Sequence, residues 1–215
     1  MMPVAKIALL FASVWAILLF AVKILIAVAG RRRLYSRRQG SALAGIFYNF
    51  TGAMLPSKKE SLSKHKLSFT IGVIFHVGIF AAVLIVIFTV IRPDLAKQAK
   101  HVLIPLIAAS LAAGVFLFIK RIFLRNMRAM SAPEDYFAIF AACGFVFLAL
   151  LNLLLRGDAV LTVTWFYAAG LLVYMPLGKL RHAVTFFIVR AEFGARLGRR
   201  GTYPPKKAEE TCNAG

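Results

Sequence analysis

The chain has 215 residues, of which 60% are hydrophobic, and a mean hydropathy of +0.78, whereas a soluble domain carries roughly 45–50% apolar residues. Lys and Arg number 27 against 8 Asp and Glu, for a formal net charge of +19. In a soluble protein that excess marks a nucleic-acid binder, but here the cations fall between long apolar blocks. That placement argues against nucleic acid and for cations that orient membrane helices and touch lipid headgroups or an acidic partner.

About 20 helical residues cross the roughly 30 Å of bilayer hydrocarbon, and five blocks meet that length. The first runs from about Val4 to Gly30 and ends at Arg31-Arg32-Arg33. It is too long for the apolar part of a signal peptide, and its basic cluster comes after it instead of leading it, so it reads as a retained helix. Residues 41–56 come next. They are half apolar, with Phe47, Tyr48, Phe50 and glycines, which predicts a short amphipathic helix along the cytoplasmic interface. The second block, 67–91, stops at Arg92-Pro93, and the third, 102–119, at Lys120-Arg121. The fourth covers 136–155 and the fifth 159–180. Residues 183–197 mix Phe186, Phe187, Ile188 and Phe193 with Arg190 and Arg196 and read as an interfacial helix. Residues 201–215 read as a flexible cytoplasmic tail after a single transmembrane domain spanning 1–200. Cys143 and Cys212 stand far apart without any CxxC spacing, so no disulfide, zinc site or iron–sulfur cluster is expected.

Cations alternate from loop to loop. Nine separate the first and second blocks, with Glu60 the one acid among them, and Lys120, Arg121, Arg125 and Arg128 come after the third. The remaining two loops hold Arg92, Lys97, Lys100 and Arg156. The positive-inside rule therefore predicts an all-α, five-helix bundle with its N-terminus outside and C-terminus in the cytoplasm.

Ionisable groups inside a bilayer are costly, which makes the histidines informative. His76 lies deep in the second block, within Phe75-His76-Val77-Gly78-Ile79, ten residues past Lys66, or about 15 Å along a helix. His182 lies at the cytoplasmic end of the fifth block, so on the same side. Two neutral imidazoles from different helices are the usual axial ligands of a b-type haem, and no CxxCH for covalent attachment is present. Gly72 and Gly78 flank His76 and leave room for a flat macrocycle near the backbone. Pro176 and Gly178 are able to bend the fifth helix and re-aim the residues beyond it. Lys179 and Arg181 border His182 and suit anionic haem propionates. A histidine that merely hydrogen-bonds to a neighbouring helix is the competing interpretation.

Phe75 to Ile79, taken with Pro176-Leu177-Gly178-Lys179-Leu180-Arg181-His182, resembles the gamma subunit of respiratory nitrate reductase. It is similar too to the cytochrome b subunits of heterodisulfide-reductase-like and sulfite-reductase-linked membrane complexes. The resemblance spans most of the chain and rests on the joint placement of two short motifs. It implies that His76 and His182 ligate the haem nearer the cytoplasm, facing an iron–sulfur partner, in an electron carrier linked to the quinone pool of the cell inner membrane. It also shows a departure. The positions of the second pair of haem ligands in the nitrate reductase subunits are Val86 and Thr164 here, so one haem is expected.

The basic inner surface, from Arg31 to Arg38, through Lys58, Lys59, Lys64 and Lys66, to Arg190 and Arg200, suits an acidic redox subunit, or topology and anionic lipid alone. A quinone site has two candidate locations: the outer group of Arg92, Lys97, Lys100 and His101, or a pocket near His65 and residues 41–56. A haem-free membrane anchor or small transporter-like protein is the alternative function.

Overall fold

A computed structural model of the protein describes residues 1–30, 40–55, 65–155 and 157–198. The Arg31–Arg38 cluster, Lys58, Lys59, Lys64, Arg156 and the tail 201–215 lie outside them. Every described element is a helix, and the described chain clusters into two compact units.

The first unit comprises Met1–Ala29 and Thr70–Arg181. Its long helices are α1 (Met2–Ala29), α3 (Lys66–Ile91, in this unit from Thr70), α5 (Lys100–Phe123), α7 (Pro133–Leu155) and α8 (Asp158–Tyr174). Short helices α4 (Pro93–Gln98) and α6 (Arg125–Ala129) join α3 to α5 and α5 to α7. Helices α1, α3, α5 and α7 are long and apolar enough to cross a membrane, and a fifth crossing results if α8 and the segment Lys179–Leu197 count as one span. The chain is thus a helical, multi-pass membrane protein.

The fifth span differs from its expected bounds. The continuous helix stops at Tyr174, and Lys179–Arg181 forms a separate 3-10 turn. Pro176 has no backbone N–H to continue the ladder, so α8 closes with the Met175 N–H on the Leu171 carbonyl at 2.7 Å. The fourth span begins at Pro133, earlier than expected, because proline suits the first helical position and the acids Glu134 and Asp135 suit the positive end of the helix dipole.

Small residues fill the interior of this unit. Ala5, Ala12 and Ala16 of α1, Gly78, Ala81 and Ala82 of α3, Ser110, Ala113 and Gly114 of α5, and Ala138, Ala141, Ala142 and Ala149 of α7 are buried. Within each set, spacings of one, three, four or seven residues keep the positions on one helix face. Large side chains such as Phe11, Ile17 and Phe140 point outward instead. Lipid is as apolar as leucine, so close backbone approach by small residues helps hold such a bundle together, beside the buried side chains of Phe75, Ile85, Ile107, Phe145, Val146 and Trp165. Helix α1 packs on α8, α5 on α7, and α7 on α8.

The second unit comprises Gly30–Phe69 and His182–Gly215. Its described helices are α2 (Ala42–Phe50), a 3-10 turn at Gly52–Met54, and α9 (His182–Leu197). Both segments expected to be amphipathic are therefore helical. Ser41 caps α2, its hydroxyl accepting the Ala44 N–H at 3.2 Å. The two helices cross where Gly45 meets Gly194: a Cβ on Gly45 would stand 2.2 Å from the Gly194 carbonyl oxygen. Asn49 fastens the crossing, donating to the carbonyls of Gly45 at 2.9 Å and Gly198 at 3.4 Å. Phe50 packs against Phe186 and Phe187 with ring centres 6.3 and 6.2 Å away, and the Arg190 guanidinium sits 5.4 Å from the Phe186 ring centre.

Candidate functional site

His76 projects from the exposed side of α3. Its Nδ1 lies 2.7 Å from the carbonyl oxygen of Gly72, one turn earlier. A carbonyl only accepts, so Nδ1 carries the ring proton and Nε2 becomes the basic nitrogen of the neutral imidazole. Metal-bound histidines are held this way, their second nitrogen donating to a backbone carbonyl that fixes tautomer and ring plane. Gly72 shares this strip of the helix, and a Cβ placed on it meets nothing within 4 Å among the described residues. An oriented imidazole beside a bare stretch of backbone fits a flat, iron-bearing macrocycle.

Gly78 does not belong to that strip. It is turned about 200° around the helix from His76, and a Cβ there would stand 2.0 Å from Ser110 Cβ. The Ser110 hydroxyl reaches past it to donate to the Phe75 carbonyl at 2.9 Å. The expectation that Gly78 makes room for a macrocycle is corrected by this contact: it makes room for α5.

The other predicted residues fall around the end of α8. Lys179 and Arg181 form the 3-10 turn in the first unit, and His182 is the exposed first residue of α9 in the second. His65 and His101 are exposed at helix beginnings. Lys179 is held by α7. Its ammonium lies 2.7 Å from Asp135 Oδ1, and its backbone N–H donates to Glu134 Oε1 at 2.8 Å. Glu134 Oε1 also accepts from the Tyr174 hydroxyl at 3.2 Å, and Arg121 reaches Asp135 at 3.4 Å. A propionate contact by Lys179 therefore competes with Asp135. That competition is mild, because the lysine side chain is 44% exposed and water screens such a pair.

The turn itself is tightly built. Pro176 is fully buried, and its carbonyl accepts from the Lys23 ammonium of α1. A Cβ on Gly178 would stand 2.1 Å from the Tyr174 ring, so only glycine lets the chain close over that ring. Sequence reasoning named Pro176 and Gly178 but missed Lys23, Glu134 and Asp135. Their signals were present: a cation deep inside an apolar block, and paired acids directly ahead of another.

At the opposite end of the unit, a cavity of about 340 Å³ lies among Thr89, Lys100, Asn152, Asp158 and Trp165, with apolar walls from Ile85, Leu153 and Leu161. Trp165 Nε1 donates to Thr89 Oγ1 at 3.1 Å, and Asn152 Nδ2 to Thr164 Oγ1 at 2.6 Å. Lys100 of the expected outer cationic group thus borders this cavity. Val86 and Thr164, the positions where the resemblance puts second-haem ligands, are buried packing residues at 7% and 0% exposure.

No protein-family model, curated protein or solved structure matches the chain.

Proposed function

We propose that the protein is a membrane cytochrome b subunit of a larger respiratory oxidoreductase. In this reading it carries electrons between membrane quinone and a cytoplasmic iron–sulfur subunit through one b-type haem. The observation that carries the reading is His76: an ionisable side chain within a membrane-crossing helix, on its exposed side, with Nδ1 fixed by the Gly72 carbonyl. An ionisable ring within a membrane-crossing helix marks a functional position, and its tautomer is the one that coordinates iron.

His76 and His182 are the axial ligands in this account. Gly72 clears the backbone beside the ring, and Arg181, with Lys179 when Asp135 releases it, faces the propionates. The haem supplies one-electron redox chemistry when bound, while the chain sets its ligation, orientation and electrostatics. The N-terminus lies outside and the basic loops and C-terminal tail lie in the cytoplasm, in the cell inner membrane, as the distribution of Lys and Arg indicates. Helices α2 and α9 lie along the inner interface, with Leu43, Phe47 and Val189, all strongly exposed, toward lipid.

Quinone is the membrane-soluble redox partner. The cavity at Thr89 and Trp165 combines apolar walls with hydrogen-bonding groups, the make-up of a small-molecule site. It lies thirteen residues beyond His76 on α3, about 20 Å along the axis. A pocket on the His76 side has the shorter electron path.

A visible spectrum tests the proposal. Protein purified after expression with adequate haem supply is expected to show a reduced b-type α-band, lost in both His76→Ala and His182→Ala. Absence of the band from the wild-type protein defeats the proposal and leaves a haem-free anchor or transporter-like protein.

A further inference from the structure

The cavity of about 340 Å³ in the first unit sits where helices begin and end. Thr89 lies two residues before the end of α3 and Asn152 three before the end of α7, while Lys100 and Asp158 are the first residues of α5 and α8. The ends of membrane-crossing helices meet the lipid headgroups. The cavity therefore lies at headgroup depth, whichever side of the membrane it faces.

Its polar groups divide into those already engaged and those left over. Trp165 Nε1 donates to Thr89 Oγ1 at 3.1 Å, and that hydroxyl donates in turn to the Val86 carbonyl at 2.7 Å. Asn152 Nδ2 donates to Thr164 Oγ1 at 2.6 Å, which leaves the Asn152 carbonyl oxygen able to accept. Lys100 is half-buried and Asp158 exposed, and both line the cavity. Among the described residues neither of these side chains has an ion pair or a hydrogen bond. An acid in the first turn of a helix is ordinary. An acid and a lysine that share a cavity without pairing leave room between them for a charged guest.

The groups left over include one cation, one anion and one neutral acceptor, beside apolar walls from Ile85, Leu153 and Leu161. A quinone head carries no charge and gives Asp158 no partner. An anionic head without an amine brings like charge to Asp158. A choline head is a cation without N–H, so the Asn152 oxygen accepts nothing from it. A phosphate linked to a primary ammonium satisfies all three groups, because its two ends form charge-assisted hydrogen bonds of opposite polarity.

We infer that this cavity binds the headgroup of a phospholipid bearing a primary ammonium, with the phosphate on Lys100 and the ammonium between Asp158 and the Asn152 carbonyl. Pockets between membrane helices that pair charged side chains with lipid headgroups work on this chemistry. The site uses neither His76 nor His182, so it stands whether or not the chain carries haem.

Native mass spectrometry of the detergent-purified protein tests the inference by titration with phosphatidylethanolamine, phosphatidylcholine and phosphatidylglycerol of identical acyl chains. The wild-type protein is expected to retain one phosphatidylethanolamine about ten-fold more tightly than either of the others, the size of one hydrogen bond to a charged group. Asp158→Asn is expected to remove that preference. Lys100→Gln is expected to weaken phosphatidylethanolamine retention by about ten-fold on the same ground. Soluble phosphoethanolamine, the same head without acyl chains, is expected not to displace the lipid at equal concentration.

Equal retention of the three lipids by the wild-type protein overturns the inference, because lipid that merely surrounds the bundle does not read headgroups. So does a preference that survives in folded Asp158→Asn and Lys100→Gln proteins, which places the lipid elsewhere. Displacement by phosphoethanolamine at equal concentration assigns the cavity to a soluble ligand, displacement by a short-chain quinone assigns it to quinone, and either result overturns the lipid assignment.

Discussion

Two faces of α3 use glycine in opposite ways. On one face Gly72 adjoins the His76 imidazole and open space; on the other Gly78 lies against Ser110 so closely that no side chain fits. The second face is structural. It joins α3 to α5 by backbone proximity and by the Ser110 hydroxyl on the Phe75 carbonyl. The first leaves Gly72 open among the described residues and holds an ionisable ring. On the proposed reading the helix both assembles a bundle and presents a cofactor ligand, and the periodicity of 3.6 residues lets it separate the two tasks around its axis.

The largest expected effect comes from breaking the first face alone. His76→Leu is predicted to abolish the b-type absorption band while leaving helix content by circular dichroism, and detergent-phase thermal stability, close to wild type. A His76→Leu protein that loses its fold along with its spectrum would join the imidazole to the packing and erase the distinction between the faces.

Next in size is damage to the second face. Gly78→Ala puts a methyl 2.0 Å from Ser110 Cβ, and α5 must retreat to admit it. Overpacking of this kind costs about 1–3 kcal/mol, measurable as a lowered midpoint in chemical denaturation. Combined with Ser110→Gly, the space returns and most of the loss is expected to be recovered. Failure of the pair to compensate would show that the contact is not the source of the cost. Ser110→Ala alone removes only the hydrogen bond to the Phe75 carbonyl, and interhelical bonds of this type average about 0.6 kcal/mol in a bilayer. Its effect is therefore smaller than that of Gly78→Ala.

The spans were legible in the sequence because lipid imposes a length on apolar blocks, and four of the five carried over with shifts of a few residues at their ends. The fifth did not, although Pro176 and Gly178 announced its early end; hydropathy continues through Met175 and Leu177 even though the backbone ladder cannot. The two amphipathic segments were legible as helices but not as partners, since Gly45 and Gly194 lie 149 residues apart and nothing local ties them. Which glycine serves which face was open to the same count of 3.6 that separates residues 72, 76 and 78. The clamp on Lys179 escaped notice for a different reason. Glu134 and Asp135 stand out in the sequence as paired acids, but only the folded chain brings the end of α8 beside them.

The smallest expected effect is the sharpest test of the comparison, because it separates space from packing at a site where the two predict opposite signs. Gly72→Ala adds a methyl where nothing stands within 4 Å among the described residues. An alanine inside a helix gains about 0.5–1 kcal/mol over glycine from reduced chain entropy, so its denaturation midpoint is expected to hold or rise. Gly72→Phe keeps the helix as well, since no described neighbour obstructs it, yet its ring sweeps the strip where the macrocycle is proposed to lie beside His76. Haem content is therefore expected to fall in Gly72→Phe and to stay near wild type in Gly72→Ala, with both proteins folded. Equal haem content in the two would move the macrocycle off this strip. A loss of stability in Gly72→Ala would mean that the face is packed after all, and that both glycines of α3 serve the bundle.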